Sequence, residues 1–600
     1  MSWSQAEAEI LSRERTLFTP ARGGRTGVCL AYPNRYALGM GNLGFQAVYR
    51  ILATTPGYYC ERAFLPDAKK GSGVVSAQRR RDAERSGFGN DSRPLFRLVT
   101  LESGRSIDEL DVLALSISFE TDYLNVPALL EGAGLPLESG ERDERHPLVI
   151  AGGSAIFLNP EPIADFVDVF LIGEAEEMLP EFLAFLELAR AEGLSRPELL
   201  RQAPSVEGAY VPRVYEPRYE GPRTVEIGGE RAARRVSRRL VENLDRFPTT
   251  SQILSDGVAF GDMFLVEASR GCQWGCRFCA AGFMYRPLRT RSKASLVEDV
   301  TRGLAERSTI GLVGAEMASV PGIAELCQQI ADLGGRASPA SLKADCISPS
   351  LAAALGRNRS RSVTIAPEAG SERMRRVINK NLREPEILRA AEMLVGEGVQ
   401  DLKLYFMIGL PGEEDSDVDA IAELTMKIRE RFLGKGKERG RIGKITLSVN
   451  NFVPKPWTPF QWDPMIEVAA AKSKLDRLRR ALGPVANVEV EGESPREAYL
   501  QTLLSRGDRR VGRWIVEIHR QGGAWWRALR QGRGGGRAGD GLVDPDWFVH
   551  RSYDRAEILP WDFIDHHFKK LYLWTEREKA LRERETPPCD VSTCKTCGAC

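Results

Sequence analysis

Six short apolar runs between residues 260 and 465, each followed by a helix-length stretch, restrict this chain's folding more than any other feature. They are MFLVEAS, TIGLVG, ASPASLKA, SVTIAPEA, DLKLYFMIG and KITLSVNNFVP. Buried strands separated by helices run parallel, because each helix carries the chain back to the end where the next strand begins. Six units predict a partial, TIM-like (β/α)6 barrel over residues 256–470, with chemistry on the loops after the strands' C-terminal ends. The same alternation appears earlier in TGVCLAYP, DVLALSIS, HPLVIAGG and DVFLIG. It predicts a Rossmann-like, doubly wound domain over residues 1–200. Residues 201–255 read as a charged connector, 471–580 as a helix-rich C-terminal region and 581–600 as a cysteine-bearing tail. The expected class is α/β.

Lys plus Arg total 83 and Asp plus Glu 82, so no net field draws the chain to nucleic acid or to an anionic membrane. No uncharged apolar run approaches the roughly 18 residues that a membrane span requires. The first residues, MSWSQAEAEILSRERTLFTP, lack the apolar stretch of a secretory signal. A cytoplasmic protein with no membrane partner is expected. In that setting clustered cysteines point to metal rather than to disulfides. Three of the eleven lie between 272 and 279 and four between 589 and 600, while Cys29, Cys60, Cys327 and Cys346 are scattered.

In EASRGCQWGCRFCAAG, Cys272, Cys276 and Cys279 follow the first barrel strand at x3 and x2 spacing. A 4Fe–4S cluster takes four ligands. Three local thiolates leave one iron open to a small molecule, and Gly271 and Gly275 let the loop turn its N–H groups toward the cluster sulfurs. The competing reading is a zinc site that borrows a fourth ligand. Zinc favours paired CxxC or Cys/His sets, and the next cysteine downstream is Cys327. Tyr285, Arg286, Arg289 and Arg291, just after the triad, are open to two readings: contacts to an anionic substrate, or a packed barrel rim.

The triad loop and the segments after the later strands resemble, in order, the radical S-adenosylmethionine (SAM) superfamily. The likeness is to the branch of methylthiotransferases and cobalamin-dependent enzymes. GLVGAE (Gly311–Glu316) resembles a GGE-like motif that binds the SAM amino group, with Ala315 at its middle position, and implies Gly314 and Glu316. SLKAD (Ser341–Asp345) resembles the third-strand segment. APEAGSER (Ala366–Arg373) resembles the loop that contacts SAM ribose and carboxylate, which implies Glu368, Ser371 and Arg373. FMIGLPGE (Phe406–Glu413) resembles the adenine-binding segment, through Ile408, Gly409 and Gly412. FVPKPWTPFQW (Phe452–Trp462) closes the sixth strand. The resemblance implies that Cys272, Cys276 and Cys279 carry catalysis by holding a 4Fe–4S cluster. SAM would be cleaved reductively to a 5′-deoxyadenosyl radical, with electrons from a donor such as flavodoxin or ferredoxin.

In the first domain, YPNRYALGMGNLG (Tyr32–Gly44), SISFETDYLN (Ser116–Asn125), AGGSAIFLNPEP (Ala151–Pro162) and IGEAEE (Ile172–Glu177) resemble a cobalamin-binding domain. That implies methyl transfer through cobalamin to an unknown substrate, whether RNA, protein or a small molecule. The family's Asp-x-His-x-x-Gly loop is missing, since His146 is the sole histidine before residue 519. A corrinoid here would therefore lack a protein imidazole as lower ligand. A domain that only packs or binds substrate is the competing reading. The alternative activity is sulfur insertion or methylthio transfer on RNA or protein, and a non-catalytic Fe–S or corrinoid sensor is a further alternative. In the tail, Cys589, Cys594, Cys597 and Cys600 stand at x4, x2 and x2 spacing. Such a run fits a second, fully ligated Fe–S cluster, with structural zinc or a redox-active thiol group as the other readings.

Overall fold

The computed structural model describes residues 3–66, 96–228, 235–340, 342–357, 362–440, 442–532, 542–594 and 596–599. Cys600, Ser341 and most of the Gly-rich QGRGGGRAGDG segment lie outside the described residues. The first domain is built on a six-stranded sheet. Its strands are β1 (Thr26–Arg35), β2 (Tyr58–Leu65), β3 (Val112–Ser116), β4 (Leu148–Gly152), β5 (Val169–Leu171) and β6 (Ala209–Tyr210), in the order β2-β1-β3-β4-β5-β6. All pairings are parallel except β5 with β6. β1 is buried over its first eight residues, TGVCLAYP, as a central strand covered on both faces must be. Because the chain leaves β1 outward to β2 and then returns to the other side as β3, the sheet has its topological switch point between β1 and β3.

One face of this sheet packs on helices α1 (Leu43–Thr54) and α2 (Ala175–Ala191). The other face is covered from far along the sequence. Ile117, Val126 and Phe166 share a core with Trp514, Ile515 and Ile518 of the C-terminal helix Val511–Arg520. The helix-rich region is thus the second layer of the first domain. Arg238, within the stretch GERAARRVSRRL that reads as solvated from charge density, is only 2% exposed and donates to the Arg286 carbonyl at 2.9 Å. Packing against a loop with free carbonyls overrides the local pattern.

The second body contains the six barrel strands that the periodicity predicts. They are β7 (Phe264–Glu267), β8 (Thr309–Val313), β9 (Arg336–Pro339), β10 (Ser362–Glu368), β11 (Asp401–Ile408) and β12 (Ile445–Asn451). β7, β8 and β9 form one parallel sheet, and β10, β11 and β12 lie in a second. A parallel bridge between Leu342 and Ile365 joins the two. A further strand, β13 (Val488–Gly492), pairs parallel with β12. Its residues are half exposed, so it has no apolar run by which the sequence could announce it. On β11, Leu402, Leu404, Phe406 and Ile408 pack outward with Leu394 and Ile421 of the surrounding helices. Strand alternation then turns Lys403, Tyr405 and Met407 to the concave side. Among the described residues no helix is long and apolar enough to cross a membrane.

Candidate active site

The triad loop is a closed structure. Ser269–Arg270 pairs antiparallel with Arg289–Thr290, so the chain leaves β7 and returns beside itself. At Gly271 φ is +84° and a Cβ would meet the Tyr285 carbonyl oxygen at 2.4 Å, so the loop entry requires glycine. Inside the loop, Cys279 N–H donates to Cys276 O and Arg277 N–H to Ile378 O, at 3.1 and 2.9 Å. Asn379, at φ +55°, donates its amide to Gly275 O at 3.1 Å and braces the loop from the segment after β10. Gly271 and Gly275 therefore act through close backbone approach.

The three thiols share one locality. Burial pushes Cys272 up to about 12, and the neighbouring Cys276 and Cys279 add repulsion. Cys279 rises to about 11 through burial and then Cys276. Cys276 rises through burial, opposed by Lys380 and Lys343. Ionising three half-buried thiols that repel one another is costly for a protein alone, and a bound cationic metal would remove that repulsion. A tetrahedral zinc takes its sulfurs at about 2.3 Å from one point, whereas an Fe–S cluster receives each thiolate on a different iron. Two polar atoms beside the triad, Ser269 Oγ and Trp274 Nε1, are buried without a hydrogen-bond partner.

Two lysines face the triad. Lys380 bonds Glu368 at 3.2 Å, and Lys343 lies 3.8 Å from the Trp274 ring centroid while bonding Asp345. Burial works against the Lys380 charge, but Glu368 and the two thiols outweigh it and hold it protonated. A unit charge about 8–10 Å from a cluster, in an effective dielectric of about 20, is worth roughly 2 kcal/mol. That is on the order of 80 mV for a one-electron couple. Lys380→Met is expected to move the triad cluster's midpoint potential negative by that order. An EPR-monitored redox titration measures it, and an unchanged potential would show that the lysine charge does not reach the cluster.

The SAM-contact candidates divide into two groups. Glu316 and Glu368 lie by the triad, since their charges raise the Cys272 and Cys276 thiols respectively. Glu316 accepts from Ala318 N and Ser319 N at 2.7 and 2.9 Å, and so shapes its own loop. Glu368 sits at φ +67° beside a register shift in β10, which turns its side chain toward Lys380. At Gly314 a Cβ would come within 2.5 Å of Ser269 Oγ, so two loops touch there. Ser371, Arg373 and Gly412 form the second group around Asp417. Ser371 Oγ donates to Asp417 Oδ1 at 2.5 Å, and Arg373 pairs with Asp417 and donates to Gly412 O at 2.9 Å. Arg373 also reaches Glu583 of the tail at 3.5 Å. Ile408 is 1% exposed, and Gly409, at φ +80°, donates to Glu413 at 2.9 Å. Tyr285, Arg286, Arg289 and Arg291 are committed to Ser154, Trp274 O, Glu174 and Asp299 respectively. They are the packed rim.

The first domain presents the C-terminal ends of its strands to the triad end of the barrel. Ser154 Oγ and Tyr285 OH are 2.8 Å apart, Glu174 binds Arg270 and Arg289, and Lys455 reaches Glu120 at 2.5 Å. His146 lies before β4, at the opposite edge, beside Asp143. His566 is the imidazole that motif reading missed. It is fully buried, lies tilted with its ring centroid 4.8 Å from that of Trp457 and donates Nε2–H to Phe157 O at 2.7 Å, while Nδ1 has no partner. Desolvation, then Arg238, holds it neutral. Lys380 and Asn379 were also missed, because they reach the triad through tertiary contacts with no motif of their own; Lys343 and Arg277 stand inside the quoted SLKAD and triad segments, but their contacts are set by the fold.

Compared with known proteins, residues 266–425 match the family described as the radical SAM superfamily, and residues 88–212 match the one described as radical SAM proteins, N-terminal. An uncharacterized protein of Methanocaldococcus jannaschii, MJ0966, is 29% identical over 420 residues, 69% of this chain and 82% of its own length. MK0932 of Methanopyrus kandleri, also uncharacterized, is 26% identical over 333 residues, 49% of this chain and 58% of its own. Among solved structures, the radical SAM methyltransferase TsrM of Kitasatospora setae aligns at 12% identity and TM-score 0.42, over 70% of this chain and 72% of that one. The cobalamin-dependent SAM radical enzyme OxsB aligns at 13% identity and TM-score 0.43, over 93% and 80%.

Proposed function

We propose that the chain is a radical SAM enzyme, a reading supported by the match over residues 266–425, and that it acts as a cobalamin-dependent methyltransferase. When bound, the cluster and SAM supply one-electron cleavage at the triad, and a corrinoid supplies a methyl group to transfer. Cys272, Cys276 and Cys279 would hold three of the four irons. Lys380 and Lys343 offset the negative charge gathered there.

The observation that carries the methyl-transfer reading lies at the switch point of the first sheet. Open α/β sheets bind their ligands in the crevice outside the strand ends at that point. Here the loops after β1 and β3 leave Leu38 and Phe119 44% and 59% exposed. Asn42 bonds Ser118 and Asn34 bonds Asp122 across the same crevice, at 2.9 and 2.8 Å. Asp122 is 3% exposed and its Oδ2 has no hydrogen-bond partner. Two exposed apolar side chains on the loops after β1 and β3, with an unanswered acceptor in the same loops, suit a large ring bearing amide side chains. Leu38, Phe119, Asn34 and Asp122 are the residues that would hold it.

Anaerobic reconstitution with hydroxocobalamin tests this. The wild-type chain is expected to retain about one cobalt per chain after desalting, and Phe119→Asp to weaken binding at least tenfold, about 1.4 kcal/mol, without changing iron content. No cobalt at saturating corrinoid would sink the methyl-transfer reading and leave the radical SAM assignment standing.

A further inference from the structure

The chain from the helix Lys570–Leu581 onward returns to the triad. Glu576, on the helix Lys570–Leu581, forms an ion pair with Arg277 at 3.1 Å, and Arg277 also donates to Arg584 O at 2.7 Å. Thr586 N–H donates to Asn379 Oδ1 at 2.7 Å, and Asn379 itself holds Gly275 O. Cys589 N–H then donates to Gln273 O at 2.8 Å, inside the triad loop. Further on, Cys597 is 3% exposed, its carbonyl accepts from Lys569 N–H at 3.0 Å, and its side chain shares a core with Phe283 and Phe568. Arg286 spans the gap. It donates to Gly282 O and Trp274 O on the triad side, and the Cys597 and Cys589 thiols are among the groups that raise its basicity. Cys594 is within hydrogen-bonding reach of Cys589.

We propose that Cys589, Cys594 and Cys597 bind a second iron–sulfur cluster directly behind the triad loop. This cluster relays single electrons to the triad. The proposal rests on the radical SAM reading above. A low-potential one-electron carrier protein gives up one electron, the tail cluster is reduced and reoxidised, and the triad cluster is reduced; no bond forms or breaks. Iron–sulfur is favoured over structural zinc by what already holds the tail. Zinc supplies folding energy where a segment lacks its own, whereas this one is fixed by the Gln273, Asn379 and Lys569 contacts and by the burial of Cys597. Its position behind the triad loop suits a carrier of electrons.

Three measurements on the full-length, anaerobically reconstituted chain test the proposal. The Cys272→Ala, Cys276→Ala, Cys279→Ala variant is expected to keep about four irons with sulfide, and a cluster EPR signal on reduction. Zinc in their place, or no metal, overturns the second cluster. The Cys589→Ala, Cys594→Ala, Cys597→Ala variant is expected to keep the triad's iron and to cleave SAM at the wild-type rate with dithionite. With a ferredoxin or flavodoxin as the only reductant, it is expected to slow at least tenfold, and an unchanged carrier-driven rate overturns the relay. Retained triad iron reports that the variant has folded. Failure of SAM cleavage in the wild-type chain would count against the radical SAM reading and leave the tail metal count untouched.

Discussion

Cys276→Ala is expected to abolish the formation of 5′-deoxyadenosine from SAM under strong reductant, while the chain stays folded. The backbone contacts that shape the loop do not use the Cys276 side chain: Cys279 N–H meets the Cys276 carbonyl, and Arg277 N–H meets Ile378 O. Alanine keeps both. What is lost is one of three protein ligands, and two thiolates cannot hold a cluster that already has one iron unligated by protein. The readouts are iron content, the EPR signal of the reduced triad cluster and 5′-deoxyadenosine by chromatography, with circular dichroism as the folding control. Product formation that persists at a substantial fraction of the wild-type rate would refute the assignment of the triad. The scattered Cys327, buried in the barrel core without a place in the site, is the matched control: Cys327→Ala is expected to leave SAM cleavage intact.

The second large effect is on stability, at Arg277. This residue lies between Cys276 and Cys279, is fully buried, and meets Glu576 at 3.1 Å. Its guanidinium also donates to the carbonyls of Arg376, Val377 and Arg584, at 3.0, 2.9 and 2.7 Å. Burial opposes the charge and Glu576 supports it. Removing one partner of a buried ion pair costs roughly 3–5 kcal/mol; Glu576 keeps Lys579 at 2.7 Å, which puts Arg277→Ala toward the lower end of that range. Arg277→Ala is therefore expected to free the tail from the barrel by about that amount. Hydrogen exchange over residues 570–590 should rise by two to three orders of magnitude, since each 1.4 kcal/mol is about tenfold. Arg277→Lys keeps the charge but not the planar fork, and should fall between the two. Unchanged exchange in the alanine variant would show that the tail is held by its other contacts.

The strand–helix alternation was legible because each barrel strand except β13 carries its own apolar run, and the helix between strands leaves only the parallel arrangement open. The triad was legible for a related reason. Three ligands within eight residues need only a local loop, so spacing alone reports them. The contacts of Arg373 were not legible. Its motif implies a SAM contact, yet in the fold it is tied to Asp417, Gly412 and Glu583. The rim arginines were equally ambiguous, because a sequence lists charges without the carboxylates that meet them.

The sequence by itself determined two parallel α/β bodies and one loop with cysteines at x3 and x2 spacing. Both follow from short-range patterns: apolar periodicity and ligand spacing. Tertiary structure alone decided that the C-terminal helices are the second layer of the first domain, and that His566 reaches its edge. It also decided that Cys589 binds the backbone of Gln273, more than 300 residues earlier. These contacts join segments with no local signal in common. They are held by buried pairs and backbone hydrogen bonds, whose strength depends on the exclusion of water, and that exclusion exists only once the chain has packed.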